Sequence, residues 1–495
     1  MRFARTIALV GVGLLWLGFG PVVPLLAALS LFIRPVRAWL RPTRRVVAGW
    51  IGAVLVVVGL AKLVPDGWGP LPPGPGRLAT PGYVGRPASP QPVDVKVPEN
   101  PHLAPTGVTT WTGPMGDSPH VWTKSYGLDG CRRVLVDSHG RLVSVCGDAD
   151  APVLRLLDPD NLRQLASKDL PEGDHSPCSG AFYLDDHDRA VVATNDRRIL
   201  AVSTADADGD PDLTTQATVD LADDLPDDDC VVGVQPDWQG RIWFVSNEGR
   251  VGVVDDGKVR VVDLAEQVAH PLTVTRDGVY VGTDEALYRI AAGPGAKPAV
   301  AWRTAYDGGS GSAPVALSSG LVAIAVNADP KLEVVLHRPD DGQEVCRAAV
   351  FGDDEGSTDG GLVVAGDAVV VQNGHGYGGP LSTVLGRTTN RGLARVDSDC
   401  KVAWSTDLDV PSSAPAVSLA SGLVFVYLKR HSWLGVDAWY LGAVDLRTGR
   451  LVYAVRTGLT LLADSHHGAV ALGPDGSAYV PVLGGMVRVR DAHAD

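Results

Sequence analysis

The chain has 495 residues, 45% of them hydrophobic, so it can bury a large core as one big domain or as two or three smaller ones. Its net charge of −14 is unevenly placed: residues 1–66 carry eight basic side chains against Asp66 alone, which leaves −21 for the remainder. A domain that acidic repels phosphate backbones, which argues against nucleic acid as a partner.

Two apolar stretches open the chain. Residues 7–33 are broken only by Pro21 and Pro24, and residues 46–64 carry a single charge, Lys62, near their end. A span needs about 20 apolar residues, so both stretches qualify as transmembrane candidates, the first with a kink or re-entrant bend at its glycines and prolines. Between them, 34–45 holds five arginines and no acid. Short arginine-rich loops stay cytoplasmic, so the second helix is expected to leave the cytoplasm and everything beyond residue 64 to lie outside. Residues 1–66 are therefore read as a membrane anchor. The next segment, 67–105, is read as an extracytoplasmic tether, because 65–105 contains twelve prolines and six glycines. Fully extended as polyproline it would reach about 100 Å and hold the following domain off the membrane.

From 106 to 495 the pattern is strand-like, with turn residues between short apolar runs. Residues 131–146 read as a hairpin turning at 137–140; 231–247 repeat the scheme around 237–240, and 469–480 around 474–476. Such units begin near 131, 178, 230, 270, 313, 361, 414 and 468, a spacing that fits four strands each. The last unit runs out after three strands, and the alternating segment 120–126 can supply the fourth and close a ring. The expected fold is an all-β, eight-bladed β-propeller, with seven blades as the alternative.

Six cysteines lie beyond residue 130, and an even number in an exported domain points to disulfides. Cys131 and Cys146 face each other across the first hairpin. Cys178 and Cys230 open neighbouring units at equivalent positions, and Cys346 and Cys400 remain in the outer strands of the next pair. Buried free thiols are the other reading.

Residues Gly442, Asp445, Thr448, Gly449 and Tyr453 form a strand–turn–strand pattern that resembles the repeats of pyrroloquinoline-quinone-like propellers. Residues 393–397 with Trp404 resemble it again, and 336–346 more loosely. The resemblance covers about three of the eight units. It implies a propeller in which the recurrent aromatic packs between blades, and it speaks to fold more than to activity. The dehydrogenases of that fold use adjacent cysteines beside the quinone; this chain has none, and their calcium ligands match no motif here. No cofactor is expected, neither quinone nor calcium being supported by a motif. Asp206, Asp208, Asp210 and Asp212 alternate as calcium ligands do, but Pro211 stands where such a loop turns sharply, so they read as a solvated loop.

No nucleophile-elbow, zinc-protease or phosphate-loop signature occurs. In a propeller, the loops joining second and third strands share a face with the connections between blades. Two such loops are long here, 373–390 and 429–437, and the connection 351–361 and the pair His466, His467 should lie beside them. Long loops on a rigid scaffold are where binding residues usually sit. The candidate binding residues are His375, Tyr377, Arg387, Asn390, Arg430, His431 and Trp433. The functional expectation is a membrane-anchored, non-catalytic binding or scaffolding propeller for an envelope protein or polymer. The alternative is an extracellular enzyme of quinoprotein-oxidoreductase or propeller-lyase type.

Overall fold

Short β-rich runs separated by tight turns pair with their chain neighbours, and that local pairing generates most of the strands of each blade. A computed structural model describes residues 4–40, 47–49, 51–52, 55–56, 59, 64–105, 107–127, 129–147, 150–173, 180–207 and 210–492. Among these residues the sheets make eight blades. Blades 1 to 6 span 131–169, 182–220, 231–263, 273–305, 309–350 and 362–406, each built from consecutive antiparallel strands. Blade 7 spans 416–458. Blade 8 takes Ala471–Leu472, Ala478–Val482 and Gly485–Asp491 from the C-terminal end and Pro119–Ser125 as its outermost strand. Val121 faces Val489 and Thr123 faces Val487, so the expected closing strand is in place.

Burial follows strand position. Middle strands such as Ala368–Gln372 and Ala478–Val482 are buried along their whole length, while the outer strand Gln164–Asp169 alternates and faces solvent. A middle strand is apolar on both faces because each face meets a different neighbouring blade. The apolar clusters obey this rule. One joins blades 5 and 6 through Leu336, Val369 and Ala394; another joins blades 7 and 8 through Tyr453, Val480 and Val487. The ring closes where Tyr126, Tyr479 and Met486 of blade 8 pack on Val134 and Leu142 of blade 1.

Indole rings lock neighbouring blades from outside. Trp404 of blade 6 donates to the Leu446 carbonyl of blade 7 at 2.9 Å and lies over Gly449, where a Cβ would come within 2.6 Å of the ring. Trp302 of blade 4 repeats this on blade 5, donating to the Pro339 carbonyl at 2.8 Å above Gly342. Both glycines have φ of 71°, so they also supply the left-handed turn. In blades 1 to 3, Asp137, Asp185 and Asp237 cap the turns between first and second strands, each binding the Nε of the arginine four residues on at 2.6–2.8 Å.

The proline-rich segment departs from its expected role as a free tether. Tyr83–Gly85 pairs with Leu451–Gly458 as a fifth strand on blade 7. The Gln91 and Val93 amides donate to the Ser421 and Leu419 carbonyls of blade 7, Asn100 reaches the Pro236 carbonyl of blade 3, and the Ala104 amide the Leu184 carbonyl of blade 2. The chain then recrosses to blade 7, where the Leu419 amide meets the Val108 carbonyl. An extended backbone free of internal bonds offers its polar groups to whatever turns it passes, and here the turns of one propeller face accept them. Residues 86–118 form a strap across that face, not a spacer.

Among the described residues the N-terminal region includes the helices Ala4–Phe19, Val22–Ser30 and Arg34–Leu40, with the break between the first two at Gly20 and Pro21. Among the described residues no single helix is long and apolar enough to cross a membrane; Val22–Ser30 and Arg34–Leu40 pass that test together but meet at 100°. The arginine-rich stretch expected as a loop is therefore helical over Arg34–Leu40. Much of the second apolar stretch, 46–64, lies outside the described residues.

Cys131 and Cys146 are bonded and directly opposed in register. Cys346 and Cys400 join blade 5 to blade 6. Cys230 is also disulfide-bonded, while Cys178 lies outside the described residues. The Cys346–Cys400 bridge closes a 54-residue separation, so replacing both residues with serine is expected to cost about 4 kcal/mol on a chain-entropy model. Guanidinium unfolding of Cys346→Ser/Cys400→Ser checks this; a midpoint equal to that of the unchanged protein would contradict it.

Candidate functional site

Strand direction gives the propeller two different faces. Turns between first and second strands lie on the face that the strap crosses; loops between second and third strands share the open face with the blade-to-blade connections. The innermost strands enclose a channel with a cavity of about 440 Å³, lined by Val136, Leu184, Val364, Val417 and Leu472 from five blades. Leu103, Ala104, Val108 and Trp111 of the strap line the same cavity and cover the channel at its strap-face end. Ser418 and Ser421 fasten that end by donating to the Trp111 and Thr112 carbonyls at 2.7 and 2.8 Å. A ligand reaching the axis comes from the open face.

On that face a second cavity, of about 670 Å³, lies among three blade connections and the 373–379 loop. Ser357, Thr358 and Asp359 line it from the connection between blades 5 and 6, Ser412 from the next, and His466 and His467 from that between blades 7 and 8. Tyr377 occupies its wall. The Tyr377 hydroxyl lies 3.1 Å from Asp464 Oδ1 and 3.2 Å from His466 Nδ1, and its ring meets His467 edge-on at 5.3 Å. Asp464 is fully buried and accepts from Thr383 Oγ1 and the His466 amide, both at 2.9 Å. Burial raises the Asp464 carboxyl above its ordinary range; burial and the Asp464 charge push the Tyr377 hydroxyl well up, so it stays protonated.

Across the mouth, His270 descends from the connection between blades 3 and 4. Its Nε2 lies 3.2 Å from the Ser310 carbonyl, and its Nδ1 3.9 Å from Asp359 Oδ1. The other Asp359 oxygen is 3.7 Å from His467 Nδ1, so one exposed carboxylate stands between two imidazoles from distant connections. Burial holds His270 and His466 below the usual imidazole value, leaving them neutral near pH 7. Hydroxyls, amides and imidazoles thus line the cavity together with one exposed carboxylate, and among the described residues its lining contains no arginine or lysine. Such a surface exchanges hydrogen bonds with neutral or cationic polar groups and repels phosphates.

The seven candidate residues divide between the mouth and its outer rim. His375 and Asn390 tie the base of the long loop, the Asn390 amide donating to the His375 carbonyl and its side chain to the Glu355 carbonyl. Tyr377 faces the cavity. Arg387 folds back on its own turn, donating to the Val384 and Leu381 carbonyls. Arg430 covers the Tyr440 ring at 5.7 Å, and His431 packs edge-on against Trp433 at 4.7 Å. The two long loops and the 351–361 connection do meet, as their spacing led one to expect: Ser432 donates to the Gly386 carbonyl, and His375 lies 3.4 Å from Ser357 Oγ.

Sequence reasoning missed His270, Asp359, Asp464 and Lys429. Lys429 ends an apolar run and is completely buried, bonding Asp437 at 2.8 Å and the Thr383 carbonyl, with its ammonium 5.1 Å from the Trp439 ring centre. Asp437 in turn accepts from the Leu385 and Gly386 amides. This buried pair fastens the two rim loops together. Its only sequence signal is a lysine that follows six apolar residues in one strand. Among the described residues one trio, Asp185, Asp186 and His187, is close enough to hold an ion, but Asp185 is already taken up by Arg189 and its own turn.

No family model matches the chain. An uncharacterized protein of Archaeoglobus fulgidus is 24% identical over 393 residues, covering 68% of this chain and 75% of that protein. BamB from Moraxella catarrhalis overlays with a TM-score of 0.47 and 12% identity, over 72% of this chain and 94% of its own. Virginiamycin B lyase from Staphylococcus aureus overlays at 0.42 with 11% identity, over 68% of this chain and 98% of its own. Likenesses this distant carry nothing about ligand or reaction. The propeller assignment rests on strand order and closure of the ring.

Two outcomes follow from the buried groups. Lys429→Met leaves the partly buried Asp437 without its cation, and loss of one partner of such a pair costs up to about 3–5 kcal/mol, to be read from thermal and denaturant unfolding. His270 titrates below the ordinary 6.5 in the folded chain, so below 6.5 the unfolded chain binds more protons and stability falls as pH falls. Its contribution is whole above 6.5. Urea midpoints at neutral and mildly acidic pH should draw closer together in His270→Gln; an unchanged gap would contradict this assignment.

Proposed function

We propose that the protein is a membrane-anchored, extracytoplasmic binding or scaffolding propeller whose ligand enters at the open-face mouth beside Tyr377. One observation carries this reading: the strap lines and fastens one end of the channel, so the polar cavity of about 670 Å³ is the approach to the axis. The ligand is a protein or polymer segment with neutral or cationic polar groups, matched to the exposed Asp359 and the hydroxyl- and imidazole-lined wall. Two disulfides support an oxidising compartment, hence the extracytoplasmic side. Apolar helices at the N-terminal end support membrane anchoring. The indole contacts of Trp302 and Trp404 support kinship with pyrroloquinoline-quinone-like repeats. A binding role fits the polar chemistry better than nucleophilic catalysis does. Ser357 lies 3.4 Å from His375, and among the described residues no carboxylate hydrogen-bonds that imidazole ring to orient it as a base.

A photo-crosslinking residue placed at position 377 of the full chain, in its native cells, should give one discrete adduct that Asp359→Ala and His467→Ala diminish. The same residue at 139, on a strap-face turn, should not give it. Identical products at both positions, or none at 377, would reject the reading.

A further inference from the structure

The rim outside the mouth is chemically unlike the rest of the acidic propeller. Trp433 is 95% exposed, Leu381 71%, Leu385 63% and Leu434 43%, all on two neighbouring loops of the open face. These side chains are not on slack segments. Asp437 accepts from the Leu385 and Gly386 amides, Ser432 donates to the Gly386 carbonyl, and the buried Lys429 pins Asp437 from beneath. A fixed apolar display of this size marks a surface that meets something.

The N-terminal helices end at the same rim. The Gly76 and Leu78 amides donate to the Leu17 and Gly18 carbonyls at the end of Ala4–Phe19. Gly20 then packs so closely on Val436 that a Cβ there would lie 2.5 Å from its Cγ2, and a Cβ on Gly435 would come within 3.2 Å of Pro21. Among the described residues the helices bury none of their own side chains; Leu14 and Leu26, and Phe32 in the turn after the second helix, are exposed. Apolar helices left uncovered by protein call for an apolar solvent, and that solvent would begin where they leave the rim. Arg387 and Arg430 flank the same patch, the pattern by which aromatic and basic side chains settle at the headgroup level of an anionic leaflet.

We propose that the loops 380–387 and 431–435 rest on the lipid bilayer, with Trp433, Leu381 and Leu385 dipping into its surface and Arg387 and Arg430 meeting anionic headgroups. This inference rests on the anchoring reading above and extends it: the propeller is held by its blade 6 and 7 corner.

The test uses the full chain reconstituted in vesicles of phosphatidylcholine and phosphatidylglycerol. Trp433→Cys and Leu385→Cys are each labelled with an environment-sensitive fluorophore, with Lys258→Cys in the exposed outer hairpin of blade 3 as reference. The expected result is a blue shift and quenching by spin-labelled lipid at 433 and 385, with neither at 258. Flotation with the vesicles while the 433 label stays fully open to aqueous iodide would reject the rim contact and leave the anchor standing. Failure to float would reject both. Protection that depends on protein concentration and persists without lipid would assign the patch to a second copy of the chain and overturn the proposal. None of these outcomes bears on crosslinking at position 377, so ligand entry at the mouth and the membrane contact fail separately.

Discussion

Every part of the molecule depends on face-to-face burial between neighbouring blades. A four-stranded sheet with two apolar middle strands has two faces to cover and only one edge that meets solvent. Each blade therefore needs a neighbour on both sides, and the apolar clusters lie between blades, joining one to the next around the circle. An open stack would leave two such faces in water. Pairing Pro119–Ser125 with Gly485–Asp491 removes that cost, because the two distant parts of the chain then build one blade that packs on both blade 7 and blade 1.

Closure creates the axis, and the strap gives it a direction. Once residues 103–111 lie across one end, bound by the hydroxyls of Ser418 and Ser421, the molecule has a covered face and an open face. The blade connections then bring His270, Asp359 and His467 together although nearly two hundred residues separate the first from the last. Rigid sheets behind each connection hold these groups, so the polar mouth and the apolar rim are both preformed. Their separation also has a physical basis: buried Lys429 and Asp464 stand between them, binding Thr383 from two sides through its carbonyl and its hydroxyl.

How much of this was legible differs by element. Hairpins such as 131–146 follow from local alternation and turn residues, and the opposed cysteines follow from the hairpin midpoint. The loops of blades 6 and 7 stood out by length alone, and their meeting with 351–361 followed from propeller topology. Asp464 and Asp359 did not stand out, because an aspartate in a loop looks the same in sequence whether solvated or buried. The strap was hidden for a related reason: proline-rich backbone carries no periodicity, and its partners are turn carbonyls that the sequence does not mark.

The sequence by itself determined the strand pattern, a count of repeating units that favoured eight over seven, and the segment that completes the last one, because each is set by interactions between residues close in the chain or by a shortfall of one strand. Tertiary structure alone decided that 67–105 wraps the propeller, which face is covered, and which titratable groups share the mouth. Those outcomes depend on desolvation and on backbone groups meeting across the ring, and neither quantity exists until the ring has closed.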